Sequence, residues 1–165
     1  MREPARSPRA RKDRGAEPPK TPAQLASFVP YLLNRLINRW NLDQSRDLIP
    51  HEINNTTLRA LSVLYIYETL TVNEIAAFAV AEQSNASRTI DTMVSEGLVE
   101  RQIAKTDLRR REIALTAKGE ALLKRLWPIM DRNYATLTAG IAPEDIEACV
   151  RVLTKMIDNV GEGPV

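Results

Sequence analysis

Ser84, Asn85, Ser87, Arg88, Thr89, Asp91, Thr92 and Ser95 place hydrogen-bonding side chains, mostly short, at most positions of one twelve-residue stretch. Hydroxyls and amides on short stems carry donors and acceptors close to the backbone, the combination that meets a base edge or a phosphate oxygen. A few residues later positive charge collects at Arg101, Lys105, Arg109, Arg110 and Arg111. The run Lys105-Thr106-Asp107-Leu108-Arg109-Arg110 is too charged to be buried without partners, so it faces solvent or an anion. Standing alone it reads as a solvated turn; directly behind a polar helix, anion contact becomes the better reading. Other chemistries are poorly supplied. With one histidine, His51, one cysteine, Cys149, and six glycines that form no phosphate loop, no nucleophile and base, disulfide framework or multi-cysteine metal site can be assembled, and no cofactor is expected.

The elements that must carry these residues follow from periodicity. Ala86, Ile90, Met93 and Val94 form one narrow apolar stripe over Ser84–Glu96, which predicts a short helix with its polar faces exposed and Gly97 as its left-handed end. Leu98 to Ala104 and Arg111 to Thr116 read as paired strands around the basic tip. Side chains alternate along a strand, so only one of Arg110 and Arg111 is expected to face phosphate. Arg88 is expected to pair weakly with Asp91, leaving it free for DNA. Upstream, apolar residues from Leu25 to Trp40 mark one long helix over Ala23 to about Asp43, followed by a loop through Pro50 and His51. Thr56 or Thr57 then caps a helix that ends before Thr71, Thr71-Val72 makes a short strand, and residues 73–80 form a helix packing Ile75, Ala76 and Phe78 beneath the polar one. Downstream, Ala117 to Thr138 is helical with a kink expected at Pro128, and Pro143 starts a last helix in which Cys149 reads as a small buried hydrophobe. Polar helix, basic-tipped hairpin and following helix are the ordered parts of a winged helix-turn-helix.

On these residues the sequence resembles the MarR-type transcriptional regulators, in register from Glu74 to Gly119. Glu74-Ile75-Ala76 is similar to the start of the family's first helix-turn-helix helix. Ser84, Ser87-Arg88, Asp91 and Gly97-Leu98-Val99-Glu100-Arg101 resemble its recognition helix and exit, and Leu115-Thr116-x-x-Gly119 the start of the next helix. Asp107-x-Arg109 resembles the wing motif, and the resemblance implies that the carboxylate orients an arginine into the minor groove. Val80 stands where relatives often carry glycine, and Glu82 where a better cap is usual. The resemblance also implies a homodimer held by helices from both chain ends, and a small anionic aromatic effector, an aromatic acid or its thioester, between the dimerisation and DNA-binding parts. Asn38, Arg39, His51, Arg59 and Trp127 are candidates for that effector site, although His51 taken by itself reads first as a local capping or surface residue.

Length and charge agree with a single domain carrying an arm. The chain has 165 residues, 44% of them hydrophobic, and a net charge of +2 that hides an asymmetry. Residues 1–20 hold seven basic and three acidic side chains with four prolines, so a disordered basic arm precedes a slightly acidic remainder. The expected fold is mainly α, divided into this arm, an N-terminal dimerisation helix over 21–48, a winged helix-turn-helix over 49–116 and C-terminal dimerisation helices over 117–165. No membrane segment or secretory signal is read, which suggests the cytoplasm. The expected function is a sequence-specific DNA-binding regulator, a repressor acting on double-stranded DNA at a roughly palindromic operator. Its DNA contacts would be Ser84, Asn85, Ser87, Arg88, Thr89, Lys105, Asp107, Arg109, Arg110 and Arg111. The alternatives are a winged helix used only for protein contacts and, least supported, an enzyme.

Overall fold

The computed structural model describes residues 17–103 and 110–161, so most of the basic arm and the wing-tip residues Lys105, Asp107 and Arg109 lie outside the described residues. The chain divides after Trp40 into two compact units. The described part of the first holds α1 (Pro22–Ala26) and the beginning of α2 (Val29–Leu48). The single helix expected from Ala23 is therefore broken at Ser27 and Phe28. Pro30 is the reason: it has no N–H to donate to Ala26, and it is tolerated only in the first turn of a helix, which is where α2 restarts. Leu32, Leu33, Leu36 and Ile37 stay 38–50% exposed.

In the second unit α2 continues through the expected loop to Leu48, because Gln44 and Leu48 are both buried there. A short 3₁₀ turn (Ile49–His51) ends at Glu52 in the left-handed region. Helix α3 (Asn55–Tyr67) is capped by Asn54, whose side chain accepts from the Thr57 amide at 2.9 Å. The cap thus falls before Thr56 and Thr57, as an amide oxygen there can reach the amide three residues on. The short strand is β1 (Thr69–Leu70), two residues earlier than expected, since Thr71 is used as the cap of α4 (Val72–Phe78) in a reciprocal capping box with Glu74. Phe78 is half-buried and stacks on Tyr67 with ring centroids 4.6 Å apart.

The recognition helix α5 (Gln83–Ser95) is followed by β2 (Val99–Ile103), β3 (Arg111–Leu115), α6 (Ala117–Thr138) and α7 (Pro143–Val160). The antiparallel sheet has the order β1-β3-β2, with Leu70 and Arg101 on either side of Ile113. Leu48, Leu61, Leu64, Ile75, Ile90, Met93, Ile113 and Leu126 are at most 1% exposed and form one core under α5 and the sheet. Helix α6 is not divided at Pro128. Helix α7 begins at Pro143 as expected but buries no residue, so Cys149 is exposed and the reading of it as a buried hydrophobe is wrong.

Thr116 and Gly119 join the wing to α6. The Thr116 hydroxyl lies 2.7 Å from the Gly97 carbonyl oxygen and 3.1 Å from that of Leu98, and accepts from the Gly119 amide at 3.1 Å. Gly119 sits so close to Leu98 that a Cβ there would lie 2.1 Å from its carbonyl oxygen. Backbone meets backbone at this point.

Candidate nucleic-acid interface

Two caps of one design frame α5. Before it, the Ala81 amide reaches the Ala76 carbonyl and Val80 that of Ala77; after it, Leu98 reaches Met93 and Gly97 reaches Val94. Both are Schellman motifs whose turning residue is left-handed: Gly97 at φ 69° and Val80 at φ 50°. The helix-turn-helix turn forms with valine where glycine is easier. Glu82 makes no side-chain cap bond, so no side chain covers the first amides of α5 from that position.

Ser84, Asn85 and Arg88 are exposed and Ser87 is half-buried, so α5 presents the face that the sequence assigns to it. Thr89 does not share that face. It is 9% exposed because it lies between Ala86 and Ile90 on the buried side, which withdraws it from the candidate contacts. Asp91, Thr92 and Ser95 continue the exposed surface. Asp91 pairs with Arg101 of β2 instead of Arg88, and the Arg88 guanidinium has no partner among the described residues.

Arg110 and Arg111 divide as strand alternation requires. Arg110 turns back: one guanidinium nitrogen reaches both Glu74 carboxylate oxygens at 2.9 and 3.0 Å, and its Nε reaches Glu112 at 3.0 Å. Arg111 is exposed and without a partner among the described residues. The Thr71 amide and hydroxyl also donate to Glu74, at 2.7 and 2.8 Å. The Thr71 backbone bond, followed by its hydroxyl and Arg110, holds the Glu74 carboxyl below the usual glutamate range against the opposing effect of partial burial. Sequence spacing singles out neither Glu74 nor Glu112 as a site residue.

The effector candidates fall in both compact units. Asn38 and Arg39 are exposed on α2 in the first unit, and His51 is half-buried in the 3₁₀ turn. Arg59 is committed to Asn41 Oδ1 at 2.6 Å and approaches the Ala79 carbonyl at 3.5 Å. Only Trp127 lines the cavity of about 470 Å³ between α3 and α6, with Ser62, Tyr65, Ile66, Leu123 and Lys124. Lys124 lies 2.6 Å from Glu120, the main cause of its raised pKa, and 6.0 Å above the Tyr65 ring. The cavity residues other than Trp127 escaped sequence reasoning because an apolar wall reads as core.

A three-helix core, a helix-turn-helix turn and a three-stranded sheet ending in a hairpin define a winged helix-turn-helix protein of the DNA-binding class. Residues 53–110 match the MarR family. A MarR family transcriptional regulator from Silicibacter pomeroyi is 34% identical with a TM-score of 0.81, over 87% of this chain and 96% of that one. A second from the same organism is 31% identical with a TM-score of 0.78, over 86% and 95%. S. aureus MepR in its DNA-binding conformation is 25% identical with a TM-score of 0.73, over 81% and 98%. The chain belongs to the MarR family of transcriptional regulators. Among the described residues, no helix is long and apolar enough to cross a membrane.

Proposed function

We propose that this regulator is a homodimeric repressor that binds a roughly palindromic operator and is released by an aromatic acid or its thioester. The observation that carries the DNA reading is the outward polar face of α5, where Ser84, Asn85 and an Arg88 unpaired among the described residues stand exposed. Each subunit sets this face in a major groove, while Arg111 and Lys105 meet phosphate and Arg109, oriented by Asp107, enters the adjoining minor groove. The relative that adopts a DNA-binding conformation, MepR, supports the same use of the fold. Apolar residues left open in α2 and α7, among them Leu36 at 50%, Val150 at 58% and Ile157 at 54%, support the helices of residues 21–48 and 117–165 as the dimerisation region. Two-fold symmetry then calls for a palindrome. Residues 1–20 serve as a phosphate-contacting arm that adds affinity to the DNA-binding region of 49–116.

The test is binding to duplexes selected by the protein from a random pool, titrated across salt. Arg88→Ala is expected to cost roughly 1–3 kcal/mol per half-site and relax base preference, with unchanged thermal stability. Salt-independent or absent DNA binding sinks the reading and favours a module for protein contacts. For the effector, the α3–α6 cavity offers Trp127 and Tyr65 as aromatic walls and Lys124 as the cation. A panel of aromatic carboxylates is expected to quench Trp127 and weaken operator binding by about 1–3 kcal/mol. Quenching that persists in Trp127→Phe, or no effect on DNA affinity, rules this site out.

A further inference from the structure

We infer that Glu74, Arg110 and Glu112 form a positioning clamp that holds the base of the wing against the start of α4, so that Arg110 serves DNA binding without touching phosphate. The inference rests on the DNA-binding reading above and assigns a role that reading does not contain. Arg110 immediately precedes β3, and Glu74 lies 36 residues away in the first turn of α4. Isolated surface ion pairs count for little, but three features separate this one from that average. The guanidinium is shared by two carboxylates, at 2.9 Å to Glu74 and 3.0 Å to Glu112. The Glu112 side chain is only 17% exposed, so its charge has little water to fall back on if Arg110 leaves. Glu74 is itself immobilised, because the same carboxylate closes the capping box with Thr71.

The geometry explains why these parts are adjacent. β1 pairs with β3 through Leu70 and Ile113, which brings Thr71 and the first turn of α4 alongside the strand that begins at Arg111. A guanidinium has the planar fork to bridge two carboxylates; an ammonium does not. Arg110 therefore ties the strand leaving the wing tip to the helix-turn-helix, and Arg111, next in the chain and oppositely directed, stays available for the anion. Rotating Arg110 toward phosphate would leave Glu74 and Glu112 facing each other uncompensated beside a polyanion.

The test uses the full chain and a duplex selected by the wild-type protein, with affinity measured from low to high salt. Glu74→Gln keeps the capping box, since glutamine serves there as well, and removes a negative charge. Charge alone predicts tighter DNA binding; the clamp predicts binding weaker by roughly three- to tenfold. Arg110→Gln is expected to weaken binding with an unchanged salt slope, whereas a lost phosphate contact would lower the slope by about 0.9 per subunit. Glu74→Gln with Arg110→Gln is expected to lose no more than Arg110→Gln alone. Arg110→Lys, which keeps charge and is the variant to use if Arg110→Gln does not fold, is expected to bind as weakly as Glu74→Gln. Tighter or unchanged binding by Glu74→Gln, a reduced slope for Arg110→Gln, or wild-type affinity in Arg110→Lys overturns the clamp. Loss at Arg88→Ala together with any of these leaves the DNA reading standing alone. A wild-type protein that selects no duplex overturns both.

Discussion

Replacing Gly119 by alanine tests whether the start of α6 is set by direct backbone contact with the exit of the recognition helix. The added Cβ would lie 2.1 Å from the Leu98 carbonyl oxygen, 3.0 Å from its carbon and 3.2 Å from a Leu115 methyl. A relaxed C···O contact is about 3.3–3.6 Å, so the two segments must separate by roughly 1 Å. Neither side yields easily, because the Leu98 oxygen already accepts from the Thr116 amide at 3.1 Å and the Thr116 hydroxyl bonds at the same junction. Overpacking of this kind costs about 1–3 kcal/mol, or occasionally more. Loss of the Thr116 amide bond adds about 1 kcal/mol, and the better helix propensity of alanine returns about the same. A net loss of about 1–3 kcal/mol follows, which for 165 residues lowers the thermal midpoint by roughly 2–12 °C at fixed protein concentration. Gly140→Ala is the control: Gly140 has φ 75° and nothing within 4 Å of where an added methyl would stand, so its cost is conformational only, about 1 kcal/mol. A Gly119→Ala midpoint at or above that of the wild type would refute the reasoning, as would equal losses at both glycines.

Val80→Gly is expected to raise stability by about 1 kcal/mol, because Val80 sits at φ 50° and is 82% exposed, so glycine relieves backbone strain and forfeits little packing; a lower midpoint would mean that the valine side chain supports the turn. Glu74 has a depressed pKa, so its contribution is present above the ordinary glutamate value and is lost as pH falls through the folded value. Thermal midpoints of wild type and Glu74→Gln should therefore converge as pH drops below about 4.3, and a gap independent of pH would contradict the stabilising role assigned to the Glu74 charge. Arg109→Ala should cost more operator affinity than Lys105→Ala, and Asp107→Ala should weaken binding although it removes a negative charge; tighter binding by Asp107→Ala would reduce the wing to diffuse positive charge.

What was legible from the sequence was local. The stripe Ala86, Ile90, Met93 and Val94 located α5 to within a residue of its start, and Gly97 and Pro143 marked an end and a beginning where the structure has them. The errors near chain punctuation were also local and open to correction. Pro30 lies in the middle of an apolar stripe that reads as unbroken only when side chains are counted and backbone donors are not. Asn54 is a stronger cap than the threonines after it. Thr89 follows Ala86 by three residues and precedes Met93 by four, so the helical period itself turns it inward.

Charge partners were a different matter, and they decide which cations remain for DNA. Spacing along a helix nominates Asp91 for Arg88, yet Asp91 takes Arg101, ten residues on and in another element. The same spacing nominates no partner for Arg110, which finds Glu74 across β1 and Glu112 two residues on in β3. A helical pair at three or four residues is worth only a few tenths of a kcal/mol, so it is easily displaced when the sheet brings a guanidinium within reach of a carboxylate. Five basic residues near the wing were legible as one cluster. Folding separates them: Arg101 and Arg110 are consumed in binding β2 and β3 to the helix-turn-helix, while Arg111 keeps its charge unpaired among the described residues, as does Arg88 on α5. The carboxylates that remove two cations from the cluster thereby select the directions in which the remaining positive charge points, a selection that composition and periodicity cannot express because it depends on register between β1 and β3.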